Sequence, residues 1–339
     1  MKYDVIIVGA SFAGLAVASK IKNGRKLLID SKPIGSGLKS ACGTVLDTVL
    51  KLGLVDCVLQ VHKEMILHTS NPSLDFSYHL ESPFCVIDGK KFCQKLFEKE
   101  KTDFLLANVL SFDGTFLRTD RGVFQPDILV DASGPNSVLT ENKNQYLSFG
   151  LETIVDLKEQ GLHFYYFLKI FPKGVFWLFP QGKTSRIGIA SYLGKTNLLP
   201  YLDEFLKRFE GLKRGNIHGG YFPHRLRKPI YQKIFLVGDA AGQCLPLTGE
   251  GIRPAIFFGQ KLGEIVNLIL EGKITLEEGL NLYSDFVFKD RRKLKYELLY
   301  QSQRFFLNIP QFLLNFFARL VSKKPVTNFV LKKYLGILK

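Results

Sequence analysis

The first residues able to do chemistry are two glycines and an acid close to the N-terminus. Gly9 and Gly14 hold the first and third glycine positions of a G-x-G-x-x-G-type turn, and Ser11 holds the middle position. Asp30 follows at the end of an apolar run, at the distance of about 20 residues where such turns place an acid for a ribose. Glycines at these positions let the backbone approach a pyrophosphate. The spacing predicts a dinucleotide site, in which the Cβ of Ser11 keeps the backbone slightly farther from the phosphate.

The same turn also imitates the nucleophile elbow of an α/β-hydrolase. Residues 9–13 read G-A-S-F-A, so Ala13 stands where the G-x-S-x-G motif needs glycine. A hydrolase triad runs Ser, acid, His along the chain, and no histidine follows His224 to serve after Asp239. The elbow would also follow the first strand of the sequence, ahead of most other strands of the sheet. The nucleotide interpretation is therefore favoured.

A second string of glycines and acids lies in the last third of the chain. Residues 238–242 read G-D-A-A-G, and residues 246–252 read P-L-T-G-E-G-I. The buried apolar run at 233–237 places Asp239 at the end of a strand. Apolar residues then recur with helical spacing, which predicts a helix that begins near Gly251.

Cysteines and histidines form no pattern of metal or disulfide chemistry. The five cysteines are odd in number and include no C-x-x-C pair, and the six histidines include no H-E-x-x-H. We expect neither a disulfide framework nor a metal site.

The elements that position these residues follow two different patterns. A strand, a helix and a second strand within residues 2–30 form the βαβ unit of a doubly wound sheet. Residues 65–78 and 147–191 instead contain strands separated by Gly, Pro and Asn, which is typical of an antiparallel sheet. The chain returns to a buried strand at 233–237. We predict an α/β fold, with a Rossmann-type nucleotide domain interrupted by an antiparallel-sheet domain and followed by a helical segment.

An aromatic run at residues 163–171, H-F-Y-Y-F-L-K-I-F, hardly alternates between polar and apolar side chains. Both faces of such a strand should be covered. Two interpretations stay open, ordinary core packing and the wall of an apolar cavity.

Positive charge is concentrated at the C-terminus. The 339 residues include 46 Lys and Arg against 31 Asp and Glu, for a net charge of +15. Twelve basic and two acidic residues between Val287 and Lys339 account for +10 of this charge.

From Arg304 onward, basic residues are interleaved with phenylalanine and leucine, and Pro310 and Pro325 divide the segment into short helices. Such helices suit an anionic membrane interface, whereas nucleic acid favours isolated stacking aromatics. Capping of the second domain is the alternative role.

The N-terminus lacks a signal-peptide pattern, and no apolar run reaches the length of about 18 residues that suggests a membrane span. We therefore expect a cytoplasmic protein that associates peripherally with membranes.

Glycine-rich strings along most of the chain resemble the FAD-binding motifs of the para-hydroxybenzoate hydroxylase-type flavoproteins. The strings lie at 9–14, 131–134 (D-A-S-G), 238–242 and 246–252. The resemblance implies FAD as the cofactor and makes the nucleotide domain an FAD-binding domain.

Two further strings resemble the geranylgeranyl reductase family within that group. They are K-S-A-C-G at 39–43 and G-V-F-W-L-F-P-Q-G at 174–182. The resemblance implies cofactor contacts by Gly9, Ser11, Phe12, Ala13, Gly14, Asp30, Lys39, Cys42, Gly43, Val109, Gly134, Gly238, Asp239, Pro246, Gly249, Gly251 and Ile252. It implies a substrate wall of Phe164, Phe167, Phe176, Trp177, Phe179 and Pro180. Cys42 would lie beside the isoalloxazine as a candidate for proton delivery, and packing is its alternative role.

The activity implied by this resemblance is FAD-dependent saturation of C=C bonds in a polyisoprenoid chain, either a geranylgeranyl lipid or a prenylquinone. Because only one nucleotide fingerprint is visible, electrons should come from an external donor, NAD(P)H or another reduced carrier. Three alternatives stay open: a flavin-dependent monooxygenase or halogenase, a non-redox isoprenoid cyclase, and a non-enzymatic flavin-binding membrane-associated protein.

The expected domains follow from these motifs. They are an FAD-binding domain of residues 1–62, 85–140 and 225–280, an antiparallel substrate domain of residues 63–84 and 141–224, and a basic helical segment of residues 281–339.

Overall fold

The structure is a computed structural model that describes residues 1–38, 41–69, 75–99, 102–140, 146–167, 171 and 173–338. Within this part of the chain the strands are β1 (Lys2–Val8), β2 (Lys26–Asp30), β3 (Gly43–Val45), β4 (Val58–His68), β5 (Phe76–Ile87), β6 (Asp103–Leu106), β7 (Val109–Phe112), β8 (Leu117–Thr119), β9 (Gly122–Asp131), β10 (Leu147–Val155), β11 (Leu162–Tyr165), β12 (Gly174–Pro180), β13 (Ser185–Ser191), β14 (Ile217–Pro223), β15 (Ile230–Tyr231) and β16 (Ile234–Leu236). The helices are α1 (Phe12–Ala18), α2 (Leu46–Lys51), α3 (Gly89–Glu98), α4 (Leu199–Leu206), α5 (Ile252–Leu270), α6 (Leu276–Phe288), α7 (Arg292–Phe306), α8 (Gln311–Val321) and α9 (Lys324–Leu335).

The chain divides into two compact units, each made of three segments. The first unit contains Met1–Leu38, Gly89–Tyr146 and Pro223–Leu299, and the second contains Lys39–Asp88, Leu147–Phe222 and Tyr300–Lys339.

A largely parallel sheet forms the centre of the first unit. Its neighbour order is β15-β16-β9-β1-β2-β6, and β8 joins β7 to β9. Strand β1 is parallel to both β2 and β9, and Ile6 and Ile7 are fully buried, as expected for a strand covered on both faces. Helix α1 packs closely on α5, because a Cβ at Gly263 would lie 2.3 Å from the carbonyl oxygen of Val17. This packing holds the first βα turn of the chain in place.

The sheet of the second unit is mostly antiparallel, with the order β14-β10-β13-β12-β11-β4-β5-β3. Strand β12 pairs antiparallel with β11 and β13. Among the strand pairs of this sheet whose registers are defined in the described residues, only β4–β11 is parallel. Helix α4 covers one face through Leu202 and Phe205. On the other face α8 packs on β5, where the Tyr78 hydroxyl donates to the carbonyl oxygen of Ala318 at 3.0 Å.

This architecture confirms the predicted fold class, a Rossmann-type unit interrupted by an antiparallel-sheet unit, with helices at the C-terminus. The units are bounded differently from the expected domains. Residues 39–62 and 85–88 belong to the second unit, because β3 pairs with β5 and the first half of β4 pairs there too. Tyr146, Pro223 and His224 belong to the first unit. Residues 281–339 are divided between the two units at Tyr300.

No helix among the described residues is both long and apolar enough to cross a membrane.

Candidate functional site

The first glycine turn of the first unit leaves no room for side chains. Gly9 has a φ of +106°, and a Cβ there would lie 2.2 Å from the carbonyl oxygen of Ala132. A Cβ at Gly14 would lie 1.9 Å from the carbonyl oxygen of Gly9. Ser11 is the N-cap residue of α1, and its hydroxyl makes no capping hydrogen bond. The turn therefore brings bare backbone to the start of a buried helix, as a pyrophosphate cradle requires.

Asp30 is tied to this turn. Its Oδ2 accepts from the backbone N–H of Ala10 at 2.8 Å, and its Oδ1 accepts from that of Lys32 at 3.0 Å. Each carboxylate oxygen has a second lone pair. Asp30 can hold the turn and still accept from a ribose hydroxyl.

The second glycine turn lies directly after β16 and meets the first. Gly238 has a φ of +66°, and a Cβ there would lie 2.7 Å from the Cβ of Ala13. The turn is pinned by buried Gln243, whose Oε1 accepts from the Gly238 N–H at 2.7 Å and whose Nε2 donates to the Tyr283 hydroxyl at 3.1 Å. Sequence reasoning did not single out Gln243, because a glutamine five residues after a glycine carries no distinctive pattern.

Asp239, in the second glycine turn, has a perturbed carboxyl group. Burial raises its pKa from 3.8 to about 6, and desolvation is the one cause of that shift. Within the described part of the chain, no hydrogen bond reaches its carboxylate. A Cβ at Gly251 would lie 4.0 Å from its Oδ1, so the open backbone of Gly251 faces it. Asp239 is half-buried, and an acceptor without a protein donor at such a place is suited to a hydroxyl of a bound ligand.

An internal ion pair shapes the loop between Asp239 and α5. The Glu250 carboxylate accepts from Nε and Nη2 of Arg253 at 2.8 Å each, and both residues are buried. The backbone also closes on itself, since Leu245 donates to the carbonyl oxygen of Glu250 at 2.9 Å. Gly249 takes a φ of +66° in this loop. Arg253 was missed by sequence reasoning, although its spacing of i+3 from Glu250 on a helix start was a usable signal.

The other predicted cofactor residues are distributed over both units. In the first unit, Phe12 is buried in the first turn of α1, Val109 begins β7 beside the core, Gly134 takes a φ of +97°, Pro246 is buried, and Ile252 begins α5. Cys42 and Gly43 belong to the second unit, and Lys39 lies outside the described residues.

Cys42 has an unusual backbone for its type. Its φ is +57°, a conformation that side chains other than glycine, asparagine and aspartate rarely adopt, and its side chain is buried. Its carbonyl oxygen accepts from the Ile87 N–H at 3.0 Å. Next to it, a Cβ at Gly43 would lie 3.2 Å from the Phe179 ring. The residue after Cys42 thus lies close to Phe179, one of the predicted aromatic residues.

The predicted aromatic residues divide between the two faces of the second sheet. Phe164, Trp177 and Phe179 share one face, with ring centroids 5.3 Å apart for Phe164 and Phe179 and 6.4 Å apart for Trp177 and Phe179. Phe167 and Phe176 lie in the core under α4, where Phe176 stacks on Phe205 at 4.5 Å. They cannot share one cavity wall with the first three.

The remaining predicted wall residue, Pro180, ends β12. It is buried, and its carbonyl oxygen bonds to Nε2 of His62 at 3.0 Å.

A polar cluster under Trp177 was not visible in the sequence. The buried carboxylate of Glu152 accepts from Trp177 Nε1 at 3.3 Å, from Arg186 Nη1 at 2.7 Å and from His218 Nε2 at 2.5 Å. A Cβ at Gly188 would lie 2.2 Å from the Trp177 ring, so glycine lets the indole lie flat on β13. The cluster fixes the orientation of Trp177, whose ring remains partly exposed.

The residues of the first unit fit a flavin dinucleotide. The Gly9 turn brings backbone without side chains to the start of α1, and Asp239 presents an acceptor with no protein donor in the described residues. Both observations concern this chain's own atoms and suit a ligand with phosphate and hydroxyl groups.

Comparison with known proteins agrees with this geometry. The chain is 28% identical, over 83% of its length and 81% of the relative's, to a digeranylgeranylglycerophospholipid reductase from Methanococcus vannielii. Its fold matches a geranylgeranyl bacteriochlorophyll reductase-like protein from Thermoplasma acidophilum with a TM-score of 0.84 at 20% identity, covering 95% of this chain and 92% of the other. A flavin-dependent brominase matches with a TM-score of 0.76 at 17% identity, covering 98% and 93%. No family model matches the sequence.

The fold neighbours include a flavin-dependent brominase and an FAD-dependent halogenase. The relatives and the fold confirm the resemblance drawn from the sequence motifs: the chain is similar to digeranylgeranylglycerophospholipid reductases and shares the fold of a geranylgeranyl reductase-like protein.

Proposed function

We propose that this protein is an FAD-dependent reductase that saturates C=C bonds of a polyisoprenoid chain, in a geranylgeranyl lipid or a prenylquinone. The observation that carries the proposal is the similarity to reductases of digeranylgeranyl lipids over more than four fifths of both chains. A lipid of this class is then the substrate, and an external reduced carrier such as NAD(P)H is the electron donor.

In the proposed cofactor site, the two glycine turns bind the FAD phosphates and sugar. The Gly9 turn and the N–H groups after Ser11 would hold the pyrophosphate, and Asp30 would accept from the ribose. Asp239 would accept from a ribityl hydroxyl, which would give its carboxylate the hydrogen bond that it lacks in the protein. Gly249 and Gly251, in the loop held by Glu250 and Arg253, would leave room for the ring.

The proposed substrate wall is the face of the second sheet that carries Phe164, Trp177 and Phe179. Trp177 and Phe179 are partly exposed in β12, whereas Phe176 between them is buried on the opposite face. A Cβ at Gly43 would lie 3.2 Å from the Phe179 ring, which supports a position of Cys42 near the edge of this surface. An apolar wall of this kind excludes water and orients an alkene.

Saturation of a trisubstituted alkene needs one hydride and one proton. When bound in its reduced form, FAD supplies the hydride. The protein supplies the dry aromatic surface and, in this proposal, Cys42 holds the proton at its Sγ. The Cys42 proton would go to one alkene carbon as the hydride goes to the other, and the resulting thiolate would regain a proton from solvent after product release. The apolar wall would keep water from the developing positive charge.

Product mass separates this function from its alternatives. The fold neighbours include a flavin-dependent brominase and a halogenase, so oxygen chemistry on an aromatic substrate is the second candidate. We expect the reduced protein, incubated with a geranylgeranyl lipid, to yield products that gain two hydrogens per double bond. Gain of an oxygen or halogen atom, or an unchanged mass as for a cyclase, would contradict the proposal.

Replacement of Cys42 tests its role directly. We expect Cys42→Ala to leave the flavin spectrum nearly unchanged and to slow alkene reduction by about tenfold or more, the range of a positioned acid. The matched control is Cys85→Ala, which removes a fully buried thiol from the neighbouring strand β5. Burial raises the pKa of Cys85 to about 12, so that thiol is an inert packing group. Full activity of Cys42→Ala would return Cys42 to a packing role.

We further propose that α8 attaches the protein to anionic membranes. Phe312, Phe316 and Leu320 follow one another at intervals of four residues and are 69%, 59% and 41% exposed. The opposite face of the helix is buried through Leu314 and Ala318. Together with the basic residues of the C-terminal segment, this apolar stripe has the composition of an interfacial helix.

Point variants test this attachment better than truncation, because Ala318 packs on Phe76 and Tyr78 and its removal would open the core. We expect the protein to co-sediment with anionic vesicles at low salt and to dissociate partly at high salt. Phe312→Ser with Phe316→Ser should weaken binding by about tenfold or more, since each exposed ring otherwise buries in the interface. The control Phe116→Ser removes a partly exposed phenylalanine of the first unit. Equal binding to neutral and anionic vesicles would show that the basic residues are only solvated and do not contribute to membrane binding.

A further inference from the structure

A cationic cavity lies in the first unit, apart from the predicted cofactor residues. Its volume is about 270 Å³, and its lining includes Arg225, Arg227 and Lys293 together with Tyr146, Tyr296 and Glu297. The first two cations come from the segment before β15, and the third comes from α7. None of the residues predicted to hold FAD lines this cavity.

Positive charge in the cavity exceeds its negative charge. Glu297 is the one carboxylate among the lining residues, and its Oε2 lies 3.3 Å from Nε of Arg225. Burial lowers the pKa of Arg227, and the neighbouring charge of Asp131 offsets this only in part. Lys293 is exposed, and its Nζ lies 5.6 Å from the ring centroid of Phe288. The lining therefore holds three cations against one anion, and a partly desolvated arginine gains most from a further anion.

The walls of the cavity are preorganised. The Arg225 guanidinium lies 4.6 Å from the centroid of the Tyr146 ring, which fixes its plane. The Tyr296 hydroxyl donates to the carbonyl oxygen of Gln243 at 2.8 Å. The Arg227 N–H donates to the carbonyl oxygen of Ala241 at 3.0 Å, within the turn that carries Asp239. Two lining residues, Arg227 and Tyr296, thus also bond to the backbone in or next to the second glycine turn.

We propose that this cavity binds the phosphate group of a ligand other than FAD. Two arginines present planar forks that match phosphate oxygens, and a lysine adds a mobile point charge. The volume admits a phosphate with an attached sugar or glycerol. The phosphate could come from a nicotinamide dinucleotide, a phospholipid headgroup or free phosphate, and these share the chemistry that the cavity recognises.

Titration calorimetry of the full FAD-loaded protein tests the site without any measurement of activity. The three probes are inorganic phosphate, NADPH and glycerol phosphate. Arg225→Gln and Lys293→Gln should each weaken binding of the preferred probe by about tenfold, the value of one charged hydrogen bond. The matched control is Lys289→Gln, an exposed lysine nearby in sequence that does not line the cavity. Lys293 is on the surface, so its variant should fold, and the flavin spectrum checks both variants.

The probe that binds with the highest affinity identifies the source of the phosphate. Tighter binding of NADPH would assign the site to the electron donor, tighter binding of glycerol phosphate to a lipid headgroup, and equal binding of all three to free phosphate. Each of these results supports the site if the two cavity variants lose binding and the control does not. Absence of binding by all three probes, or binding that neither cavity variant weakens, would overturn the proposal whether or not the protein reduces isoprenoids.

Discussion

Asp239→Ala is expected to yield a protein that is isolated largely without its yellow colour. The wild-type protein should hold FAD without a covalent bond and release it into the supernatant on acid precipitation. Loss of the Asp239 acceptor removes a charged hydrogen bond to the cofactor, and should weaken FAD binding by about tenfold or more. The control is Asp127→Ala, which breaks only a surface ion pair with Lys2. An Asp239→Ala protein that retains wild-type FAD content would contradict the proposed cofactor site.

The same carboxylate should make the cofactor-free protein sensitive to pH. Folding raises the pKa of Asp239 from 3.8 to about 6, so the folded state favours the protonated form. The stability from this group is therefore present below pH 4 and is lost as the pH rises through 6. We expect Asp239→Asn to increase the free energy of unfolding of the cofactor-free protein at pH 7 by about 1–3 kcal/mol. Urea unfolding at pH 5 and pH 7.5 measures this, and an identical pH dependence in both proteins would count against it.

Glu152→Ala is expected to destabilise the second unit and to reduce activity together. Glu152 is 3% exposed and pairs with Arg186, whose side chain is only 14% exposed. Removal of one partner from a buried ion pair costs about 3–5 kcal/mol, because the other charge stays buried. Trp177 also loses the acceptor for its indole N–H. We therefore expect a lower unfolding midpoint and an altered KM for the isoprenoid.

Two comparisons separate these effects. Glu159→Ala removes an exposed carboxylate of the same unit and should change neither the unfolding midpoint nor the KM for the isoprenoid. Trp177→Phe keeps an aromatic ring but needs no acceptor, so it should affect KM more than stability. If Glu152→Ala unfolds at the wild-type midpoint, the Glu152–Arg186 ion pair does not stabilise the fold.

Local sequence patterns predicted the first unit well. Gly9, Gly14 and Asp30 lie within one βαβ unit, where backbone sterics alone dictate the residue types. Asp239 was recognised because a strand end and a glycine turn adjoin it in sequence. In each case the residues that act together are close along the chain or at a fixed distance.

The second unit shows why other features could not be predicted. The run at 163–171 hardly alternates, so the sequence did not reveal that Phe164 and Phe167 lie on opposite faces. That assignment depends on register, in which Phe164 pairs with Trp177 across β11 and β12. Glu152, Arg186 and His218 belong to three different strands, and only the folded sheet brings them together.

Reduced flavin in this protein should deliver its electrons to an isoprenoid double bond. The flavin absorbance of the anaerobically reduced protein, followed after addition of a geranylgeranyl lipid, tests this transfer. We expect the oxidised flavin spectrum to return at a rate that depends on lipid concentration, and the fully saturated lipid of the same headgroup to have no effect. A flavin that stays reduced with the lipid and reoxidises only when oxygen is admitted would contradict it.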